Sequence, residues 1–259
     1  MNIFNFEIGS FIQFFMVFVR ISAIILTMPV VGSANVPRQV KVGLTIAIAY
    51  IVVQTANLPP VDLTLSVWEL ALKLIGELAV GLTIGFATQL IFTAVQLAGS
   101  IVGFQMGFAI VNVMDPATQS QVSITAQFQN ILALLIFLSI DGHHWLITAC
   151  TESYDVIPVL GFHPSSELVE MMINLTKNVF EAAIKLASPI IASLFILNVA
   201  LGLIARTVPQ MNVFIVGFPL QISIGLFLLG ASTPIFLLLF RQWFTQLFQD
   251  LHGLMRLMA

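Results

Sequence analysis

The sequence predicts an all-α, polytopic membrane fold, and three observations carry that reading: the scarcity of charge, the length of the apolar runs and the placement of the tryptophans. Only 8% of the 259 residues are charged, 59% are hydrophobic, and the mean hydropathy is +1.04. A soluble domain carries about 25% charged residues because water must wet its surface. A chain this poor in charge needs lipid or other protein around most of its surface. A spanning helix takes about 20 apolar residues, so the charge-free runs allow roughly six long, partly kinked helices and a terminal amphipathic segment. Trp68, Trp145 and Trp243 stand at the edges of apolar runs, where interfacial belts place aromatic residues.

The first ten residues contain one charge, Glu7, and no positive n-region. The first apolar run is therefore expected to remain as a membrane helix. It covers Ile8–Val19 and Ile21–Val36 with Arg20 near its middle; Pro29 ends the helix and Gly32–Pro37 reads as a turn. Val42–Ala56 is a second apolar segment, short for a span, closed by Asn57-Leu58-Pro59-Pro60. Glu69, Lys73 and Glu77 follow at i, i+4 and i+8, which places them on one helical face with alternating sign. Arg38 and Lys41 favour a cytoplasmic first loop, and the later acidic stretch favours the opposite side.

Leu78–Met114 carries no charge, and its glycines have a regular spacing. Gly81, Gly85, Gly99, Gly103 and Gly107 fall within about an 80° stripe of one continuous helix, which Gln89 and Gln96 share. Glycine lets a neighbouring backbone approach closely, so the stripe predicts tight helix packing; the spacing leaves open whether the neighbour is in this chain or another. From Leu74 to Phe108 one helix would run about 50 Å, against a hydrocarbon core of about 30 Å. Such a helix must kink, split or project beyond the bilayer into protein.

Asp115 and Pro116 interrupt the apolar sequence, and Ala117–Ile140 is charge-free again. The acidic stretch with Asp141, Glu152, Asp155, Glu167 and Glu170, broken by Pro158, Gly161 and Pro164, is the candidate solvated segment. Leu186–Ala205 and Thr207–Phe240 are the last long runs, separated by Arg206; Pro209 predicts the bend of a hairpin, with kinks at Pro219 and Pro234 in its second arm. Arg241–Ala259 reads as a separate amphipathic tail with Phe244, Leu247, Phe248, Leu251, Leu254, Met255 and Met258 on one face.

Several chemistries are excluded. A net charge of −3 offers no basic footprint for nucleic acid, and one cysteine, Cys150, gives no disulfide or thiolate cluster. No nucleophile elbow, phosphate loop or catalytic carboxylate pair is present, which argues against an enzyme. His143-His144 and His163 lack a recognised ligand spacing, and adjacent histidines point to different sides of a helix; they read as interfacial loop residues with no metal or other cofactor. Arg20, Lys73, Glu77, Glu181, Lys185 and Arg206 are isolated charges that need a partner, a watery cavity or an interface. An ion pathway and structural pairing are both open. Pairing is favoured because the carboxylates sit near helix ends, and Glu181–Lys185 matches an i, i+4 pair.

Ala205-Arg206-Thr207-Val208-Pro209-Gln210-Met211-Asn212-Val213-Phe214, continued by Gly217-Phe218-Pro219-Leu220, resembles the signature of the FliR family, with a more distant likeness to the SctT family of injectisomes. Gly76-Glu77-Leu78-Ala79-Val80-Gly81-Leu82 and Val113-Met114-Asp115-Pro116 also match, and the resemblance covers essentially the whole chain. The family signature rests on Pro209, Gln210, Asn212, Gly217 and Pro219. The resemblance implies a core subunit of the flagellar type III export gate, in the basal body at the bacterial inner membrane. One such subunit would join several FliP-like and FliQ-like copies, near FlhB-like and FlhA-like components, in a helical assembly with steeply tilted helices. Unfolded rod, hook and filament subunits would pass through its pore. Residues 1–178 would correspond to a FliP-like part and 179–259 to a FliQ-like hairpin plus tail. Phe108, Ile110, Val111, Met114, Asp115 and Pro116 would belong to a plug in the closed pore, the alternative being an ordinary loop. The rival function is a secondary transporter of a small solute or ion, which would want a repeated pair of broken helices; the breaks near Asp115 and Pro209 lie in no visible repeat.

Overall fold

The computed structural model describes residues 8–56, 58, 66–108, 123–210 and 212–259. The described residues form seven helices and no strand: α1 (Ile8–Thr27), α2 (Arg38–Thr55), α3 (Val67–Gln105), α4 (Ile124–Ser139), α5 (Gly142–Val156), α6 (Ser166–Thr207) and α7 (Val213–Met258). α1, α3, α6 and α7 are each long and apolar enough to cross a membrane, and α4 with α5 could form a fifth, broken span. The chain is an all-α, polytopic membrane protein.

The helix limits follow local chemistry. α1 stops two residues before Pro29, and the turn after it places Val30 at φ 72°. Lys41, in the first turn of α2, donates to the carbonyls of Gly32 and Ser33, each at 2.9 Å. Those bonds fold α2 back along α1, against which it buries Thr45, Ala49 and Val52 at helical spacing.

α3 starts at a capping box. The Ser66 amide donates to Glu69 Oε2 at 2.7 Å, and the Glu69 amide donates back to Ser66 Oγ at 3.3 Å. Its 39 residues run about 58 Å. A Schellman closure ends it: the Phe108 amide donates to the Gly103 carbonyl at 3.1 Å and the Gly107 amide to the Phe104 carbonyl at 3.0 Å. That closure needs a left-handed residue, and Gly107 takes φ +87°. Asp141, at φ 55°, separates α4 from α5.

Two expectations change at the C-terminal end. Residues Arg241–Ala259 are not a separate tail: α7 runs unbroken from Val213 to Met258, 46 residues, through Pro219 and Pro234. Arg241 is a good helix former, and nothing near it breaks the backbone ladder. His143 and His144 are not loop residues either; they occupy the first turn of α5, where their rings lie 4.2 Å apart.

The chain forms two compact units. Unit 1 comprises Met1–Leu90, Leu138–Leu175 and Phe244–Ala259. Its core includes Val17, Ile21, Ile84, Leu146, Leu251 and Leu254. The end of α7 is thus part of a core: Leu247, Leu251, Leu254, Met255 and Met258 are buried, and the Met258 carbonyl accepts the His163 amide at 2.9 Å. Unit 2 comprises Ile91–Phe137 and Thr176–Trp243. At its centre Phe92 meets Phe137 and Phe240 edge-on, with ring centroids 5.6 and 5.7 Å away, a geometry the ring quadrupoles favour.

Candidate functional site

In unit 2 the end of α3 meets the first turns of α7. Gly107, at the end of α3, lies under the ring of Phe218 in the first turns of α7; a Cβ at Gly107 would stand 3.1 Å from Phe218 Cδ1. Two turns further along α7, a Cβ at Gly225 would stand 2.6 Å from Met106 Cγ. Gly217 is buried, with Leu201 of α6 the nearest side chain to it. Gln221 Nε2 donates to Asn198 Oδ1, tying α7 to α6. The Gly-Phe-Pro block therefore braces the last turn of α3 from one side.

The returning chain is held on the same stretch of helix. Thr125 Oγ1 donates to the Gly99 carbonyl at 2.7 Å, and Ser123 Oγ lies 2.6 Å from Thr125 Oγ1. Because the Thr125 proton is committed to Gly99, Ser123 is the donor to Thr125. Both hydroxyls sit where a Cβ on Gly103 would have to go, and the Ala126 backbone sits where one on Gly99 would. Phe108, half-buried, is the last residue described before this return. Ile110, Val111, Met114, Asp115 and Pro116 lie outside the described residues.

The remaining stripe glycines face α1 in unit 1. A Cβ at Gly81 would stand 2.5 Å from the Arg20 carbonyl oxygen and 2.6 Å from Ala23 Cβ. One at Gly85 would collide with Thr27 Oγ1. All five stripe glycines thus have neighbours inside this chain: α1 at the start of the stripe, the returning segment and α4 in the middle, α7 at its end.

Unit 1 also encloses a charge. Arg20 is fully buried; its Nε donates to Glu77 Oε2 at 2.6 Å, and its Nη1 donates to the carbonyls of Ser153 and Ile157 at 3.1 and 3.0 Å. The guanidinium carbon lies 4.2 Å from the centre of the Tyr154 ring, whose hydroxyl donates to the Val17 carbonyl at 3.2 Å. Glu77 uses its other oxygen to accept the Leu160 amide at 2.7 Å, and Lys73 Nζ donates to the Leu160 carbonyl at 2.9 Å. An ion pair away from water is stabilised by further hydrogen bonds to each ion; they serve both Glu77 oxygens and Arg20 Nε and Nη1, and leave Nη2 without a hydrogen-bond partner. Here those bonds lock α1, α3, α5 and the turn after α5 together. Glu69, Lys73 and Glu77 do share a face of α3, but each makes its hydrogen bonds elsewhere: a cap, a loop carbonyl and Arg20.

Arg206 is exposed in the last turn of α6, where a cation complements the helix dipole. Pro209 and Gln210 form the exposed turn that follows, Asn212 precedes α7, and Pro219 lies exposed within it. Ser153, Tyr154, Ile157 and Leu160 are absent from the sequence expectations, as are Met106, Phe218, Ser123 and Thr125 as contacts. The clustering of Pro158 and Gly161 marked a turn beside Leu160, yet no local pattern pointed it at Glu77.

The chain matches the family of bacterial export proteins, family 1, over residues 11–247. It is 36% identical to the flagellar biosynthetic protein FliR of Bacillus subtilis (strain 168) over 259 residues, covering 98% of this chain and 99% of that one. Against the FliR of Escherichia coli (strain K12) it is 33% identical over 237 residues, 91% of this chain and 89% of the relative. Against that of Aquifex aeolicus (strain VF5) it is 32% identical over 230 residues, 89% and 88%. The glycines, the buried pair and the Gly-Phe-Pro brace described above are thus features of a chain that belongs to the FliR family of flagellar biosynthetic proteins.

Proposed function

We propose that this chain is a non-enzymatic core subunit of the flagellar type III protein export gate, lying in the bacterial inner membrane at the basal body. It would help form and close the pore through which unfolded rod, hook and filament subunits leave the cell. A secondary transporter finds no support in the family or its relatives.

The surface of α6 carries the reading. Phe180, Ile184, Phe195, Ile196, Val199 and Leu203 are exposed along it, and so is the Glu181–Lys185 ion pair, at 2.6 Å. Lipid covers apolar side chains but not an ion pair; a protein groove covers both. The helix spans 42 residues, about 63 Å, so roughly half of it exceeds a hydrocarbon core of about 30 Å. FliP-like and FliQ-like helices are the partners we assign to that surface, with FlhB-like and FlhA-like components beside the gate.

In the same reading, residues 1–178 form a FliP-like part and 179–259 a FliQ-like hairpin. The Asn198–Gln221 bond across the turn after α6 supports a hairpin there. Phe108 and the segment holding Ile110, Val111, Met114, Asp115 and Pro116 act as the plug. What supports this is the bracing of both stems on α3, by Phe218 and by Thr125.

Co-expression with FliP- and FliQ-like proteins should yield one detergent-stable particle containing all three. Recovery of this chain only as a self-sufficient monomer would sink the proposal. Deleting Ile110–Gln119 should make the closed gate leak small solutes, and an unchanged ion barrier would remove the plug assignment.

A further inference from the structure

At the start of α5 three ligating side chains converge: Asp141, His143 and His144, whose donor atoms all lie within 4.8 Å of one another. Asp141 Oδ1 is 3.5 Å from His144 Nδ1, and the two imidazole rings are 4.2 Å apart. Two donors bound tetrahedrally at 2.0–2.1 Å from one zinc ion stand about 3.3 Å apart, so the Asp141–His144 pair is already near that separation. His143 adds the second, independent observation. Its Nδ1 is out of solvent and has no hydrogen-bond partner, so one nitrogen of this ring is uncommitted.

From this convergence we propose that Asp141, His143 and His144 bind a divalent late-transition cation of the zinc type, with water completing the coordination. Imidazole nitrogens select such ions over calcium or magnesium, which take oxygen ligands. Asp141 has a left-handed backbone at φ 55°, and the His143 and His144 rings that follow it are tilted by 38° to one another. A helix N-terminus repels a cation. The Asp141 carboxylate offsets that repulsion, which makes it indispensable to the site. Asp141 and His144 are both 68% exposed, so ions reach them without disturbing the fold.

The test uses the full chain in detergent, carrying a tag without histidines and stripped with a chelator. Zinc chloride is then titrated in competition with a chromophoric chelator. The expected result is one bound equivalent. Asp141→Asn, His143→Asn and His144→Asn should each weaken binding by at least about 10-fold, since even outer-shell partners of a metal are worth 10–100-fold. His163→Asn and His252→Asn should leave it unchanged. Helix content and thermal midpoint are measured on every variant, so that a loss of binding is read only on folded protein. Failure of the folded wild type to bind zinc overturns the proposal. So does equal binding by the triple variant, which identifies an adventitious surface ion only.

Discussion

Arg20 and Glu77, 57 positions apart in sequence, form an ion pair at 2.6 Å with side chains 0% and 1% exposed. Neither charge reaches water, and each meets a neighbour through bonds the other does not share. Removing one partner strands the other, at a cost of about 3–5 kcal/mol, whereas replacing both with apolar groups of similar volume is often neutral. Arg20→Met and Glu77→Leu alone are therefore expected to lower the thermal midpoint in detergent and abolish swimming. The double variant Arg20→Met/Glu77→Leu should recover much of the stability. If the double variant is as unstable as the sum of the singles, the pair does not act as a unit.

The glycines divide by what lies opposite them. At Gly81 the obstacle is the Arg20 backbone carbonyl, which cannot turn aside. Gly81→Ala should lose about 1–3 kcal/mol, the usual range for overpacking. Gly43, Gly202 and Gly230 have open space where a Cβ would stand. Alanine at those helical positions should stabilise the chain by about 0.5–1 kcal/mol, because glycine is the poorer helix former. Thermal midpoints of the four variants check the contrast; a uniform response would show that helix propensity alone decides.

Gly107 combines a backbone demand with a close neighbour. Alanine there pays about 1–2 kcal/mol for the left-handed conformation and meets the Phe218 ring at 3.1 Å. Gly107→Ala should impair motility, and adding Phe218→Leu should restore part of it by opening room. No recovery in the double variant, with both proteins present at wild-type levels, would mean that the ring does not limit the position.

The last turns of α7 should behave as core. Leu254 is fully buried in unit 1, so Leu254→Ala is expected to cost about 2–5 kcal/mol. Deleting 244–259 should leave a chain that is degraded in cells. Leu238→Ala, at a position 60% exposed, should leave the stability of the isolated chain nearly unchanged. Equal tolerance of both alanine variants would return the tail to the role of a detachable amphipathic segment.

Much of the architecture was open to a reader of the sequence. Pro29 marked the end of α1, and the unbroken run from Leu78 announced a helix too long for one bilayer. The glycine interval signalled close packing. Glu69 shows where that legibility stops: its spacing from Lys73 and Glu77 suggested a charged face, while its oxygen serves the Ser66 cap three residues earlier. The same holds for the tail, whose buried stripe was visible although the core receiving it was not.

Charge scarcity, apolar run length and turn residues settle class and helix limits on their own, because solvation and backbone stereochemistry act on each residue and its near neighbours. Which helix meets which glycine is not local information. Nor is the choice of Glu77 and the Ser153 and Ile157 carbonyls for Arg20, or the joining of Phe218 to the last turn of α3. Those pairings depend on side-chain volumes and unsatisfied polar groups meeting across segments tens of residues apart, and only the packed tertiary structure decides them.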